Sequence, residues 1–586
     1  MQRQRILSYP QVFRNWILGD HRSFVDVQDT NNIRPTSFFI LCIALYCIYL
    51  MLMHGTWFLS DNMWFESGAN YFPNSRAPSL AVKLFSLDAG YIPLPQRIIA
   101  AISTLFNFPT SSIPYFYKWS AALLSAAMVG TFCLKSFRAL VQSDLLRLLT
   151  AIVILLVTPF EEKLFLNFTY FSSFFIAIIT ALALVEKSKN VPQWSWLIPI
   201  FMVSKPAILS VLPAMICVAL VSKTRFRFIT LISGFLCLAQ LIRLALSHAT
   251  GLGIVSTNTF SLIEKLYAIA AYFPHLLGAF SAKNFFDKHP HQIIWVGLGL
   301  LIICCLIVIK KRCQSNALIL VGLSLLFFNI LLNVFGLSDE WNITALRNLT
   351  YVPLERHIIS GYFGTILMIV GLIATCINRR MDQERSWSKY VGPMIFLSWF
   401  VLSGWFEASR LINTDSFVKN ESMIHAGLWT SMADAIDSQY AVGVPLATLG
   451  WIFQKNCVQM NSEIRTLVNY KFKSTSMEDD TSVIFLEPLR TTYNNLISLT
   501  VLVRPKGVQS LLVSAKTILK MKDETIKYLV GSRQLPASGG LLMLTSRESI
   551  PINDIQSITI KFDMPIEMGF IPEKSKDHPI ILWIGN

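Results

Sequence analysis

Long apolar runs constrain this chain more than any other feature of its sequence. Hydrophobic residues make up 53% of its 586 positions and the mean hydropathy is +0.51, whereas soluble domains use roughly 45–50% apolar residues. A helix of about 20 apolar residues spans the hydrocarbon core of a bilayer, which is roughly 30 Å thick. Nine runs of that kind predict membrane-spanning helices, at residues 37–59, 116–133, 145–160, 168–185, 228–248, 293–309, 316–335, 358–377 and 390–406.

A further apolar stretch, residues 194–221, contains Ser204-Lys205-Pro206. Proline interrupts a helix, and a lysine is costly in hydrocarbon. We therefore expect two short helices that turn at Lys205-Pro206. The predicted fold is an α-helical polytopic membrane protein with about eleven transmembrane helices.

The distribution of Lys and Arg predicts which loops face the cytoplasm. Basic residues gather in cytoplasmic loops, and here they occur before the first run and in alternate loops after it. This predicts a cytoplasmic segment at 1–36, a membrane module at 37–406 with its first outer loop at 60–115, and a C-terminal domain outside the membrane at 407–586. The same spread argues against nucleic acid as a partner, because the net charge of +15 is not gathered in one patch.

The C-terminal segment differs in pattern from the rest of the chain. Short runs of β-branched and aliphatic residues between turn residues predict a small β-rich domain, with strands at 482–489, 496–505, 510–516, 540–546, 557–563 and 580–585. In the first outer loop, residues 95–106 have the apolar spacing of a helix that lies in the membrane interface. The sequence has no CxxC or Cys/His metal motif, so no cofactor is expected and a divalent metal is not indicated.

Acidic residues follow the first span directly. Asp61 and Glu66 lie among aromatic residues, and Asp88 precedes a glycine turn that leads to Tyr91 and then to Arg97. A carboxylate can take the proton of a sugar hydroxyl as general base, and an arginine can hold two phosphate oxygens at once. The alternative is a solvated loop with an aromatic belt, followed by a turn and an interfacial helix.

Three other places combine charge with apolar surroundings. Glu161 and Glu162 are adjacent in a short outer loop, where they would bind a sugar or else cap a helix N-terminus. Lys205 would contact phosphate at the outer turn or else reach towards the interface. Before a late span, Arg356 is another candidate phosphate ligand, and His357 is either a proton carrier or a structural residue.

This layout resembles the GT-C class of membrane glycosyltransferases, and most of all the serotype-converting O-antigen glucosyltransferases of enteric bacteria and their phages. The shared features are an inward N-terminus, an acid shortly after the first span, a helix in the long first loop, about eleven spans and an outer C-terminal domain. The resemblance covers residues 37–406 as a topology. The class usually carries Asp-Glu or Asp-Asp where this chain has Asp61-Asn62.

The resemblance implies a glycosyltransferase of the bacterial inner membrane that moves a sugar, with glucose the expected one, from undecaprenyl phosphate to O-antigen lipopolysaccharide or a similar polysaccharide in the periplasm. Asp61 would be the general base, with Asp88 or Glu66 as the alternatives. Three cationic side chains would bind phosphate: those of Arg97, Lys205 and Arg356. Expected partners are the lipid-linked donor, the polysaccharide acceptor, a flippase and a polyprenyl-phosphate glucosyltransferase. The rival hypotheses are a transporter or flippase of lipid-linked sugars and an O-antigen polymerase or ligase.

Overall fold

The computed structural model describes residues 14, 16–18, 35–88, 90–185, 191–222, 224–246, 261–286, 290–336, 357–377, 388–404, 425–439, 441–447, 451–459, 471–478, 481–487, 494–506, 509–571 and 578–585. Helices make up most of the described chain up to residue 404, and strands make up most of it from residue 442 onwards. The prediction of a helical membrane protein with a β-rich C-terminal domain is therefore confirmed.

Six described helices are long and apolar enough to cross a membrane. They coincide with six of the predicted spans, because each comes from a long apolar run with few charges. Their bounds are Pro35–Phe58, Phe168–Val185, Arg225–Arg243, Gln292–Lys310, Asn316–Phe335 and Ile359–Ile377. The larger total of about eleven spans stays a prediction.

The other predicted spans form shorter or interrupted helices, namely Ile113–Gly130, Asp144–Val157, Ile198–Met202 with Leu212–Val221, and Ser388–Trp399. The break between Met202 and Leu212 includes Lys205-Pro206, where we expected it, and Pro206 starts a 3₁₀ segment there. The run at 145–160 yields a helix of 14 residues. It ends before Pro159, since the residue before a proline is disfavoured in helical conformation.

Several helices lie outside the predicted spans: Phe72–Ser75, Leu80–Phe85, Leu94–Leu105, Phe160–Lys163, Leu262–Phe286 and Leu428–Ser438. Leu94–Leu105 confirms the helix that we expected at residues 95–106. We call Leu428–Ser438 the tail helix. It precedes the strands of the C-terminal domain.

Two of the apolar helices approach each other closely through glycine. A Cβ atom placed on Gly322 would collide with the carbonyl oxygen of Gly364, and a Cβ on Gly364 would meet the carbonyl oxygen of Gly322. Small residues at such crossings let the backbones of membrane helices come into contact. The helices Asn316–Gly336 and Ile359–Ile377 therefore depend on glycine at both positions.

The described part of the C-terminal segment contains β1 (Val442–Pro445), β2 (Ile452–Lys455), β3 (Val458–Gln459), β4 (Lys471–Ser474), β5 (Ser476–Glu478), β6 (Thr481–Leu486), β7 (Asn495–Pro505), β8 (Leu511–Met521), β9 (Ile526–Leu535), β10 (Gly540–Pro551), β11 (Ile555–Phe562), β12 (Ile566–Ile571), β13 (His578–Pro579) and β14 (Ile581–Gly585). β1 pairs with β2. The others form one antiparallel sheet, in which nine strands follow the order β13-β12-β7-β10-β9-β8-β11-β6-β5. Three strands lie off this path: β14 pairs with β3 and β7, and β4 pairs with β12.

Aliphatic side chains on one face of these strands form the core of the sheet, as the period of two requires. Leu499, Leu529 and Ile560 are completely buried in it. The sequence analysis predicted β6, β7, β8, β10, β11 and β14, and it missed the other eight described strands, among them β9 and β12. In β9 the pattern is broken by Gly531 and Arg533, which share the face of Leu529. Gly531 is required because a Cβ atom there would collide with the carbonyl of Met543 in β10.

The chain forms two compact units. The first contains residues Met1–Tyr49, Phe85–Ile98 and Ser120–Thr414, and the second contains Leu50–Leu84, Ile99–Trp119 and Asp415–Asn586. Much of the predicted first loop thus packs with the C-terminal segment. Within this second unit, Ala447 N–H donates to the carbonyl of Met63 at 2.8 Å. Trp64 and Ala447 form an isolated parallel β-bridge.

Candidate functional site

Asp61 is held by the N-terminus of the tail helix. Its Oδ1 accepts a hydrogen bond from Gly427 N–H at 2.5 Å, and its Oδ2 accepts one from Thr430 N–H at 2.7 Å. The first N–H groups of a helix have no partner within the helix, so an acceptor from elsewhere must satisfy them. Asp61 supplies that acceptor from a position 366 residues earlier in the chain.

Gly427 makes this arrangement possible. It is the N-cap residue of the tail helix, its φ is +82°, and no side chain of its own caps the helix. The left-handed region is open to glycine but strained for residues with a Cβ atom. The glycine therefore both turns the chain into the helix and leaves the capping position to Asp61.

Two buried basic side chains accompany the Asp61 carboxylate. Lys118 Nζ donates to the carbonyl oxygens of Trp57 and Ser60, each at 2.7 Å, and lies 4.3 Å from the centre of a Trp57 ring. Arg533, from β9, lies against Gly427 and interacts electrostatically with Asp61. Asp61, Lys118 and Arg533 are 3%, 4% and 6% exposed, so water screens their charges weakly. We call Asp61, Lys118, Gly427, Thr430 and Arg533 the Asp61 cluster.

The Asp61 cluster contains one permanently charged cation beside the carboxylate. Burial lowers the pKa of Arg533 to about 10, against the opposing attraction of Asp61. The guanidinium is therefore still a cation at neutral pH. Two backbone N–H donors and the positive end of the helix dipole lie at the same point.

The other end of the tail helix is also fixed by the first loop. Arg76 Nη1 and Thr110 Oγ1 each donate to Asp437 Oδ1 at 2.7 Å. Trp429 Nε1 donates to the carbonyl of Thr110 at 2.9 Å. Burial opposes ionisation of Asp437, but the hydrogen bonds from Arg76 and Thr110 outweigh it and hold its pKa below the ordinary value. The loop and the helix thus support each other along the whole length of the helix.

Glu66, the third acid proposed as a base, lies near this cluster in sequence. It is half-buried and sits at the N-cap position of the π-helix Ser67–Tyr71. The neighbouring Asn62 is buried. Its side chain follows Asp61 directly in the sequence and contributes an amide to the first loop, which carries no charge.

A second group of predicted site residues lies in the first compact unit. Asp88 and Tyr91 exchange backbone hydrogen bonds of 2.9 and 3.0 Å around Gly90, whose φ is +83°. The Nζ of Lys205 lies 5.6 Å from the ring centre of Tyr91 and 5.8 Å from that of Tyr170. The structure therefore places Lys205 beside Tyr91, which is joined to Asp88 by backbone hydrogen bonds, and phosphate binding there stays a prediction.

Hydrogen bonds fix the backbone around this group. Gln240 accepts from Ile92 N–H and donates to the carbonyl oxygens of Ile92 and Ser204. Gln96 donates to the carbonyl of Leu166 at 2.9 Å. Gln240 thus connects the turn after Asp88 to the break at Ser204-Lys205-Pro206, and Gln96 connects the helix Leu94–Leu105 to the segment around Leu166.

Arg97 is completely buried next to the same turn. Its Nε donates to the carbonyl of Ser86 and its Nη2 to the carbonyl of Leu87, both at 3.2 Å. These bonds hold the segment that leads into Asp88. They give Arg97 a positioning role, while its predicted contact with phosphate stays a prediction.

The adjacent acids Glu161 and Glu162 point into different surroundings. Both lie in the short helix Phe160–Lys163, where Glu162 is buried and Glu161 is exposed. The ammonium group of Lys163 donates to the carbonyl of Thr158 and lies 5.3 Å from the ring centre of Tyr49. The acids lie in the first turn of a helix, as the capping alternative requires. A role in sugar binding stays a prediction.

The last predicted pair is described in part. Arg356 lies outside the described residues. His357 is half-buried, and its carbonyl accepts hydrogen bonds from Asn329 Nδ2 at 3.0 Å and Asn333 Nδ2 at 3.1 Å. The backbone of His357 therefore contributes to helix packing.

Sequence reasoning missed Lys118, Arg533, Tyr170 and Gln240. Lys118 is a charge in an otherwise apolar predicted span, which is a usable signal, since such residues face protein or water rather than lipid. Arg533 gave no such signal because the strand that carries it was not predicted.

Comparison with models of protein families, with curated proteins and with solved structures found no match to this chain.

Proposed function

We propose that this protein is a GT-C-like membrane glycosyltransferase of the bacterial inner membrane, with about eleven spans, its N-terminus in the cytoplasm and its C-terminus in the periplasm. It takes a sugar, glucose in the first instance, from undecaprenyl phosphate and transfers it to O-antigen or a similar surface polysaccharide. The observation that carries the proposal is a buried carboxylate, Asp61, near two buried basic side chains, Lys118 and Arg533, shortly after an apolar helix.

The reaction needs a base and a group that accepts negative charge. A hydroxyl oxygen of the acceptor forms a bond to the anomeric carbon, the bond from that carbon to the phosphate oxygen breaks, and the hydroxyl proton moves to a carboxylate. Each carboxylate oxygen has two acceptor positions. Asp61 can therefore keep its bonds to Gly427 and Thr430 and still receive a proton from the acceptor.

The departing lipid phosphate gains charge as the sugar leaves, so cations stabilise the transition state. With Asp61 as the base, the basic side chains of the same unit are Lys118 and Arg533. The alternative uses the first unit alone, where Asp88 is the base and Lys205, between Tyr91 and Tyr170, is the cation. In this proposal Arg97 keeps the segment before Asp88 in place through the carbonyls of Ser86 and Leu87.

The experiment that tests this function compares cells with and without the protein. Surface polysaccharide is isolated and its repeat unit is analysed by mass spectrometry and sugar linkage analysis. We expect an additional hexose on the repeat unit when the wild-type protein is present. Asp61→Asn should remove it, because general-base contributions amount to roughly 10²–10⁴-fold in rate. The matched control is Asp434→Asn, an exposed aspartate on the tail helix.

A transporter of lipid-linked sugars predicts a different result. It would move the labelled lipid across the membrane without breaking the bond between sugar and phosphate. An unmodified repeat unit in wild-type cells that contain donor and acceptor would therefore contradict the proposal, whatever happens to the lipid.

A further inference from the structure

Arg533 occupies a core position of the C-terminal sheet. In β9 the core-facing residues alternate with outward-facing ones, and both Leu529 and Leu535 on the core-facing side are completely buried. Arg533 shares that side and is also buried. A charged group in such a position is costly unless it is paired or hydrogen-bonded. The cost of burying this guanidinium must therefore be offset by hydrogen-bond or charge partners.

Within the described residues, one of the three guanidinium nitrogens of Arg533 has a hydrogen-bond partner. Nη1 of Arg533 donates to the carbonyl of Leu541 in β10. Among the described residues, no hydrogen-bond acceptor is paired with Nε or Nη2. These two nitrogens form the side edge of the guanidinium, whose parallel N–H groups match two oxygens of one carboxylate or phosphate. The unpaired donors therefore have the geometry of a bidentate oxyanion ligand site.

The surroundings of this edge add positive charge. A Cβ atom placed on Gly427 would lie 3.7 Å from Nε and 3.9 Å from Nη2 of Arg533. The edge therefore lies beside the N-cap residue of the tail helix. The N-terminus of an 11-residue helix attracts anions. Arg533 contributes one positive charge, which Asp61 attracts. The positive end of the helix dipole adds to the attraction for an anion, and Lys118 lies in the same cluster as a further basic side chain.

Asp61 does not itself compensate the edge. Its two oxygens accept from Gly427 and Thr430, and in the described part of the chain no carboxylate lies within ion-pair distance of Arg533. We propose that the Nε–Nη2 edge of Arg533, at the N-terminus of the tail helix, binds a compact oxyanion, a phosphate or a carboxylate. This inference does not depend on the proposed transfer of a sugar.

The test measures anion-dependent protection of the full chain. The protein is placed in nanodiscs of neutral phosphatidylcholine and titrated with inorganic phosphate against sodium chloride at equal ionic strength. The readouts are the unfolding temperature and hydrogen exchange of the tail helix and β9. We expect a saturable rise in unfolding temperature and at least tenfold slower exchange with phosphate. A second arm uses nanodiscs that contain phosphatidic acid without added phosphate, and protection there identifies a lipid phosphate as the source.

Two substitutions decide whether Arg533 is the ligand. Arg533→Lys keeps the charge but loses the edge, so we expect at least a tenfold weaker response to phosphate. Lys516→Met is the matched control. It removes an exposed cation from the outer side of β8, where Lys516 lies 3.6 Å from the ring centre of Tyr528, and it should respond like wild type.

Two results would overturn the proposal. One is a wild-type protein that shows no saturable protection in either arm, a result that needs no variant to fold. The other is an Arg533→Lys protein that responds to phosphate with wild-type affinity. Activity plays no part in these readouts, so a failure of the glycosyltransferase proposal would leave them unaffected.

Discussion

Replacement of Asp61 by alanine should loosen the tail helix. The change deletes both acceptors for Gly427 N–H and Thr430 N–H, and a hydrogen bond to a charged group is worth about 1.5–3 kcal/mol. It also removes the negative charge that attracts the buried Arg533 guanidinium, but the two side chains are not an ion pair, so the two hydrogen bonds are the main loss. These terms overlap and are not additive. We therefore expect a loss of about 3 kcal/mol.

Hydrogen exchange measures this loss where it occurs. A change of about 3 kcal/mol corresponds to about 150-fold faster opening, since 1.4 kcal/mol is a factor of ten, unless global unfolding limits exchange first. Peptides that cover residues 428–438 should show this acceleration, while peptides from the helix Ile359–Ile377 should not change. Asp61→Asn should give a smaller effect because one acceptor oxygen remains. The control Asp434→Asn, exposed on the same helix, should exchange like wild type. Exchange of residues 428–438 in Asp61→Ala within threefold of wild type would refute the capping role of Asp61.

Three further predictions follow from the same contacts. Gly427→Ala should destabilise the second unit by roughly 1–2 kcal/mol, because φ is +82°, and a denaturation midpoint equal to wild type would contradict this. Asp437→Asn should cost less than about 1 kcal/mol, since this ion pair is half exposed. The folded-state pKa of Asp437 is depressed. The difference in unfolding free energy between wild type and Asp437→Asn should therefore be largest above about pH 4 and should disappear as the pH falls further. A difference in unfolding free energy that grows on acidification would contradict this prediction. Gly364→Leu should disrupt the helix crossing at Gly322 and lower the free energy of unfolding by about 1–3 kcal/mol or more. Thermal unfolding in detergent would measure this loss. The control Gly299→Leu, at an open position, should unfold like wild type.

The sequence predicted the helical part of the fold best where apolar runs were long and uninterrupted. The first predicted span, 37–59, matches Pro35–Phe58 within two residues. Prediction was weaker where a short run met a proline, as at residues 145–160, because Pro159 ends the helix at Val157. The exact ends of such a short helix, 14 residues here, depend on packing against other elements, which a single sequence does not reveal.

The candidate site was predictable only in part. Asp61 could be selected because it lies just outside an apolar span, next to aromatic and cationic side chains. Its partners could not be predicted, because Gly427 and Thr430 are separated from it by more than 360 residues and no local pattern connects them. Arg533 was hidden for a different reason. Its strand carries a glycine and a cation at core-facing positions, which breaks the alternation by which strands are recognised.

The most direct test of the central claim is transfer of sugar by the purified protein. Proteoliposomes are loaded with undecaprenyl phosphate that carries radiolabelled glucose, and a polysaccharide acceptor is supplied on the side that holds the C-terminal segment. The account predicts that label moves from lipid to polysaccharide with wild type and with Asp434→Asn. Asp61→Asn, with its fold verified by the exchange measurement above, should transfer label at least about 100-fold more slowly. Label that remains on the lipid with wild type, or transfer by Asp61→Asn at the wild-type rate, would contradict the account.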